Sequence, residues 1–454
     1  MAPIMHMYSP QRYVQVALPR SLVPNNGGEE QTNTTFFQNV LQYLKSSPER
    51  AVKMFTSLSF WKWFLFVGGG CILVSLLSRA KKEQQVLSRF TQQSAATKSV
   101  DQVKRVKVYA GLRNEGATCY LNSLLQTLFH IPKFRRSVFT MMMDKEDVDS
   151  ISKAIARVFY NLQKACDPHE EGHSYTGTVS TRCLIDSFGW SGNQVFEQHD
   201  IQEVARVLLD DLQQKMRNTS VSKSISQLFL GKVESGVECI NVEFRSVKEE
   251  TFYDIQLDVK GCRNIYESFK RYVKPEILSG QNKYHAEGYG LQDAKKYSNF
   301  THLPKVLMLH LKRFDYTPLG TLQKVTDTYE FDDHINLTEF VKQKNGNKKE
   351  YSYSLHAVLI HKGSSVHSGH YVVAINVSED LHTKEWYLFD DEKATKISSF
   401  EAIQANYGGF NTAYMLVYLR YDAIAEITKP ISSSEIPEKL REMLRHEDSS
   451  CTIL

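Results

Sequence analysis

Residues 114–126 read NEGATCYLNSLLQ, and this stretch places a cysteine at the start of an apolar helical pattern. Apolar side chains recur at helical spacing from Leu121 to Phe129. Cys119 therefore lies at the N-terminus of the predicted helix, where unpaired backbone N–H groups and the positive end of the helix dipole favour a thiolate. A cysteine used for packing would more naturally lie on the apolar face. The position of Cys119 thus indicates a nucleophile.

A cysteine nucleophile needs an imidazole that accepts its proton and a third group that orients the imidazole. Residues 353–375 have the pattern of a strand, a Gly/Ser loop and a second strand that begins at His370. WYLFDD, at 386–391, has the pattern of a further strand that ends at Asp390. If the last two strands pair antiparallel, the start of one lies beside the end of the other, which places His370 against Asp390.

The residues alone leave some neighbouring groups open as alternatives. His367 is the alternative base and Asp391 the alternative orienting group; the first falls inside the loop and the second lies one residue beyond the strand. The amide of Asn114 either donates to the oxyanion of a tetrahedral intermediate or forms an Asx-type turn around Gly116.

Composition excludes several classes of protein. With 454 residues, 42% of them hydrophobic and 23% charged, the chain can bury a large core and is not disordered throughout. A formal charge of +4, from 55 Lys+Arg and 51 Asp+Glu, does not indicate a nucleic-acid partner. The seven cysteines are scattered and no C-x-x-C occurs, so we predict no disulfide framework, no metal and no cofactor.

The N-terminal part of the chain contains a candidate membrane span. Residues 1–57 form an N-terminal segment of mixed character, and 58–78 are predicted to be a single transmembrane helix, uncharged from Trp63 to Leu77. The alternative is a buried core helix, but the glycines at 68–70 would weaken a soluble helix and are commoner in membrane spans. The polar residues that follow, 79–106, are predicted to be a linker.

Residues 107–422 have a dense globular pattern, with helices up to about residue 217 and then period-two strands, which predicts an α+β fold. The segment 423–454 is a polar tail in which apolar residues line one face of a last predicted helix. These are Ile436, Leu440, Met443 and Leu444. The chain ends in Cys451-Thr-Ile-Leu, a possible prenylation motif, although the acidic residues just upstream weaken that interpretation.

Several blocks together resemble the catalytic domain of the ubiquitin-specific proteases. GLRNEGATCYLNSLLQTLF resembles their Cys box, and HSGHYVVAI, WYLFDD and NTAYMLVYLR resemble their His box. HDIQEVARVLLDDL and LPKVLMLHLKRF are similar to other blocks of that domain. FYDIQLDVKG and NKYHAEGYGLQDA most resemble the herpesvirus-associated (HAUSP-like) branch. That branch lacks the zinc that many relatives hold between two C-x-x-C pairs, which agrees with the absence of any C-x-x-C in this sequence.

The resemblance implies a papain-like right-hand fold of thumb, palm and fingers. It also implies roles for individual residues: Cys119 as the nucleophile, His370 as the general base and then acid, and Asp390 as the orienting group. Asn114 would donate to the oxyanion. Further residues, Asp200 and Gln202, match positions that contact the ubiquitin tail.

Together these expectations describe a membrane-anchored deubiquitinase. Its partners would be ubiquitin, ubiquitinated proteins and a membrane, with the catalytic domain facing the cytosol. The endoplasmic reticulum and the mitochondrial outer membrane are not distinguished. The alternatives are a catalytically silent ubiquitin receptor on the same fold and a protease for another ubiquitin-like modifier.

Overall fold

The computed structural model describes residues 109–145, 148–166, 178–189, 200–317, 319–343, 349–365, 369–378, 383–432 and 435–445. Six helices precede the first strand in this part of the chain, and four more follow. The helices are α1 (Cys119–Phe129), α2 (Pro132–Asp144), α3 (Ser150–Cys166), α4 (Arg182–Ser187), α5 (Ile201–Lys215), α6 (Ser224–Phe229), α7 (Ile265–Val273), α8 (Ser399–Ala402), α9 (Ile424–Ile427) and α10 (Glu438–Arg445).

The strands begin after residue 230. They are β1 (Gly231–Cys239), β2 (Arg245–Phe252), β3 (Asp254–Asp258), β4 (Glu276–Leu278), β5 (Tyr284–Ala286), β6 (Gly290–Gln292), β7 (Ala294–His302), β8 (Val306–Lys312), β9 (Phe314–Tyr316), β10 (Leu322–Lys324), β11 (His334–Asn336), β12 (Ser352–Lys362), β13 (His370–Asn376), β14 (Trp386–Asp390), β15 (Lys393–Ile397) and β16 (Asn411–Arg420). The predicted mixed architecture, with helices ahead of the sheet, is confirmed, although α7 lies between strands and α8 to α10 come late.

The largest sheet in the described part of the chain has eight strands and is called the large sheet below. Its strand order is β15-β14-β13-β12-β16-β8-β3, with β11 paired to β12. All its pairs are antiparallel except β3 with β8. A separate small sheet has the order β2-β1-β7-β4, and β9–β10 and β5–β6 are isolated hairpins.

The two faces of the large sheet pack into different cores, as the alternation along β8 shows. Met308 packs in the cluster formed with the helices, whereas Leu307 and Leu309 pack in a second cluster with α7 on the opposite face. Helix α1 lies directly against β13. All 11 residues of α1 are buried, so this helix is a fixed central support for the cysteine at its first position.

The predicted last helix is present as α10. Leu440 and Leu444 are buried in the helical core and Met443 packs against it, together with Ile436 just before the helix. Helix α10 contacts α2 and α3. The apolar face that the sequence indicates is therefore the docking face.

No helix within the described ranges is long and apolar enough to cross a bilayer. The predicted span at 58–78 lies outside those ranges, as do the N-terminal segment, the linker and Cys451.

One buried histidine on the large sheet is expected to make the stability of the protein depend on pH. His356, on β12, is 5% exposed, and burial lowers its pKa from 6.5 to about 4 against the opposing effect of a hydrogen bond with the His130 backbone. Below pH 6.5 the unfolded chain therefore binds a proton that the folded chain does not, so stability falls as pH falls. Over the window from pH 6.5 to 4 this histidine alone is expected to remove about 3 kcal/mol.

The check is the free energy of unfolding measured from pH 7.5 to 4 for wild type and His356→Gln. The variant is expected to have a shallower acid slope, whatever its stability at pH 7.5. Equal slopes would show that His356 is not the group that responds.

Candidate active site

Cys119 is the first residue of α1, as the sequence predicts. It is 2% exposed, and the backbone N–H of Tyr371 donates to its Sγ at 3.5 Å. Tyr371 follows directly after His370 on β13, and the thiol of Cys119 raises the pKa of the His370 imidazole. The thiol is therefore fixed between the helix N-terminus and the first residues of β13.

His370 begins β13 and Asp390 ends β14, and these strands are antiparallel neighbours. His370 Nε2 lies 2.6 Å from Asp390 Oδ1. The hydrogen bond with Cys119 raises the pKa of His370 to about 9, with a further contribution from Asp390, and burial opposes the shift. The imidazole is thus held between a thiol and a carboxylate, and its protonated form is favoured.

Asp391 has different hydrogen-bond partners from Asp390. Its nearer carboxylate oxygen is 3.9 Å from His370 Nε2. Asn114 Nδ2 and Asn122 Nδ2 each donate to this carboxylate at 2.8 Å. Burial raises the pKa of Asp391, although both amides oppose the shift. Asp390 therefore contacts the candidate base, while Asp391 braces the segment around the cysteine.

Asn122 is a site residue that sequence reasoning missed. It is 2% exposed and lies on α1 one turn after the cysteine. A second hydrogen bond joins its Nδ2 to the Arg113 carbonyl at 3.1 Å. The available signal was a polar amide one turn after the cysteine, close to the start of the same helix. The other open alternative, His367, lies outside the described residues.

The chain before Cys119 runs close against the turn that follows β14. Leu112 N donates to the Asp391 carbonyl at 2.8 Å, and Asn114 N donates to Glu392 Oε1 at 3.1 Å. A Cβ on Gly111 would lie 2.2 Å from the Glu392 backbone, so only glycine permits this approach. Asp391 itself has φ 48°, a left-handed conformation that Asp tolerates better than most residues.

Asn114 forms the Asx-type turn that was one of its two alternatives. Its Oδ1 accepts hydrogen bonds from Gly116 N at 3.1 Å and Thr118 N at 3.2 Å. Its Nδ2 carries two N–H groups, and one of them is directed to Asp391. The turn thus fixes the amide close to the start of α1; donation to an oxyanion stays a prediction.

Asp200 and Gln202 lie at the start of α5 and make internal hydrogen bonds. Asp200 caps the helix by accepting from Gln202 N at 2.7 Å, and it also accepts from Tyr414 Oη at 2.6 Å. Gln202 Nε2 donates to Asp254 Oδ2 at 2.9 Å. These contacts join α5 to β16 and β3 of the large sheet. Contact of either residue with ubiquitin stays a prediction.

One group in the described part of the chain has the spacing of a metal site: His370, Asp390 and Asp391, whose ligand atoms lie within 4.8 Å of one another. The donors described above already occupy these atoms, so the cluster fits a proton-handling site better than an ion site. Cys239 and Cys262 are free thiols in separate clusters.

A nucleophile, a base and an orienting carboxylate in contact form a set that can carry out nucleophilic acyl transfer. Thiol attack on a carbonyl group would give an acyl-enzyme, and the imidazole would transfer the proton to the leaving group.

Comparisons with known proteins agree with this chemistry. The sequence profile described as "Ubiquitin carboxyl-terminal hydrolase" matches residues 110–418. Ubiquitin carboxyl-terminal hydrolase 15 of Schizosaccharomyces pombe is 41% identical over 76% of this chain and 31% of its own length. Ubiquitin C-terminal hydrolase 12 of Arabidopsis thaliana is 42% identical over 76% of this chain and 32% of its own. Ubiquitin carboxyl-terminal hydrolase 7 of Drosophila melanogaster is 43% identical, with 74% and 29% covered. The matched region thus spans less than a third of each relative.

Proposed function

The chain belongs to the ubiquitin carboxyl-terminal hydrolase family, and from that premise we propose that it is a cysteine-type deubiquitinase. The reaction is hydrolysis of the peptide or isopeptide bond after the C-terminal glycine of ubiquitin. The observation that carries the proposal is the position of Cys119 at the start of α1, against the first residues of β13, together with the 2.6 Å contact between His370 Nε2 and Asp390 Oδ1. Catalysis by this set needs no cofactor.

In the proposed reaction each residue of the set has a step. The Cys119 thiolate attacks the glycine carbonyl carbon, and the carbonyl electrons move to oxygen. The second N–H of the Asn114 amide stabilises that oxyanion. Collapse of the intermediate breaks the C–N bond, and the lysine amine leaves with the proton from the His370 imidazolium. His370 then takes a proton from water, which attacks the thioester and releases ubiquitin and the thiol.

We also propose that ubiquitin and ubiquitinated proteins are the partners, on a papain-like arrangement of thumb, palm and fingers related to the herpesvirus-associated branch. Asp200 and Gln202 border the path of the ubiquitin tail. Their internal hydrogen bonds support this role, because they hold the start of α5 rigidly against the large sheet.

We further propose that residues 58–78 anchor the chain in a membrane, with the catalytic domain facing the cytosol and Cys451 as a possible lipid attachment. The support is the uncharged run with aromatic and basic flanks. In cell fractionation, the full-length chain is expected to stay with membranes after an alkaline carbonate wash, and a chain without 58–78 to be released. Release of both would contradict the anchor.

The activity is tested with full-length chain and ubiquitin that carries a C-terminal electrophile. Wild type is expected to form a covalent adduct, and Cys119→Ala to form none. Cys262→Ala is the matched control, since Cys262 is also a buried free thiol and packs in the other core; it should react as wild type does.

Two outcomes would overturn the proposal in different ways. Ubiquitin binding without an adduct would indicate a silent ubiquitin receptor. An adduct only with a probe made from another ubiquitin-like modifier would indicate a protease for that modifier.

A further inference from the structure

A lysine lies next to the histidine and the carboxylate of the site. Lys362 is the last residue of β12 and the cross-strand partner of His370 on β13. Its Nζ lies 3.1 Å from Asp390 Oδ2, while Asp390 Oδ1 lies 2.6 Å from His370 Nε2. Each oxygen of the carboxylate therefore has a partner of its own.

This division of the two oxygens fixes the rotation of the Asp390 side chain. A carboxylate that bound only the imidazole could turn about its Cβ–Cγ bond and present either oxygen. The charge-assisted contact with Lys362 holds Oδ2, which directs Oδ1 to the imidazole. Burial alone would raise the pKa of Asp390, but hydrogen bonds from His370 and Lys362 outweigh it, and the pKa lies below its ordinary value.

The backbone that carries Lys362 is itself held on both sides. Lys324 Nζ donates to the carbonyls of His361 at 3.1 Å, Gly363 at 2.6 Å and Phe410 at 2.9 Å. The end of β12 is thus tied to the segment before β16. Lys362 extends from a fixed point, so its ammonium group has a defined position relative to Asp390.

The charges around His370 explain why a cation is useful there. Among the residues that the structure describes, the titratable groups that face it are Cys119 from α1, Lys362 and His361 from β12, Asp390 from β14, and Asp391 from the turn after it. Two carboxylates beside one imidazole stabilise the imidazolium, and excess stabilisation would slow proton donation to the leaving amine. A nearby ammonium opposes that effect.

We propose that Lys362 is a positioning residue of the site, which orients Asp390 and limits how tightly the two carboxylates hold the proton on His370. The inference rests on the proposed function for its kinetic consequences, but its geometric basis does not. A serine, threonine or apolar residue at this position would leave Asp390 Oδ2 without its cationic partner.

The test compares full-length Lys362→Met, Lys362→Arg and Lys396→Met with wild type in hydrolysis of a ubiquitin C-terminal fluorogenic conjugate. Lys396 is the matched control, because this lysine on β15 also forms a 2.7 Å pair, with Glu385 just before the neighbouring strand β14, away from His370. Lys362→Met is expected to lower kcat about tenfold with KM within about twofold of wild type. The alkaline limb of kcat/KM is expected to move up by about half a pH unit, since a like charge beside the imidazolium is removed.

Lys362→Arg is expected to restore the wild-type limb and most of kcat, and Lys396→Met to match wild type. An unchanged pH profile in Lys362→Met would overturn the proposal. So would equal losses in Met and Arg variants with a parallel drop in Tm, because that pattern indicates a structural role only.

A second readout does not need ubiquitin. The rate of Cys119 alkylation by iodoacetamide, followed by mass spectrometry of the peptide that contains it, has an inflection where His370 loses its proton. That inflection is expected to move up in Lys362→Met even if no ubiquitin conjugate is cleaved, so failure of the proposed function and failure of this inference are distinguishable.

Discussion

Replacing His370 by alanine is expected to lower kcat/KM for a ubiquitin conjugate by about a thousandfold or more. The imidazole contacts Asp390, and its interaction with Cys119 is the main cause that raises its pKa to about 9. Without it the thiol loses its ion-pair partner and the leaving amine loses its proton donor. Steady-state hydrolysis and the rate of adduct formation with the electrophilic ubiquitin probe both measure the loss.

His334→Ala is the matched control for that variant. His334 is on β11, which pairs with the beginning of β12, at the opposite end of this strand from the pair of Lys362 and His370. It is expected to leave kcat/KM within about twofold of wild type. Comparable losses in both variants would indicate a general effect of histidine removal on the fold, and His370 would not be the base.

The sequence was sufficient for the parts of the site that depend on local periodicity. Helical spacing after Cys119 locates the thiol at a helix start, and the offset between two adjacent strands places His370 against Asp390. Both inferences need only the repeat of one element or the pairing of neighbours in the chain. The same is true of α10, where the spacing of apolar residues gives its docking face.

The long-range contacts that hold the site together could not be predicted from local patterns in the sequence. Asn114 and Asn122 contact Asp391 across 277 and 269 residues of chain, and nothing local to either end indicates the partner. The choice between Asp390 and Asp391 also depended on the turn, because the left-handed backbone at Asp391 directs the two side chains to different neighbours. Lys362 belongs to the same class, since its partner lies two strands away in the large sheet.

Changing each of the two adjacent carboxylates to an amide is expected to have distinguishable effects. Asp390→Asn should lower kcat by about a hundredfold or more, because an amide can present an N–H to His370 Nε2 and favour the wrong tautomer. Tm should change little, since the side chain is partly exposed and retains its shape. The loss is therefore expected in chemistry and not in folding.

Asp391→Asn is expected to act mainly on stability, with the loss of activity as a consequence. Its carboxylate is largely buried and accepts from Asn114 and Asn122, so an amide leaves one donor facing another donor. The expected cost is about 1–3 kcal/mol of stability, with a loss of activity that follows from displacement of the segment before Cys119. Asp186→Asn is a suitable control, because this exposed carboxylate on α4 pairs with Arg182 one helical turn away, on the surface.

The measurements are kcat, KM and the free energy of unfolding for all three variants at one pH. A large kcat loss at unchanged stability in Asp390→Asn, beside a stability loss in Asp391→Asn, would establish Asp390 as the orienting group and Asp391 as the brace. The reverse pattern would mean that the carboxylate 3.9 Å from His370 Nε2 moves to the imidazole when substrate binds. The 2.6 Å contact of Asp390 would then belong to the resting enzyme alone.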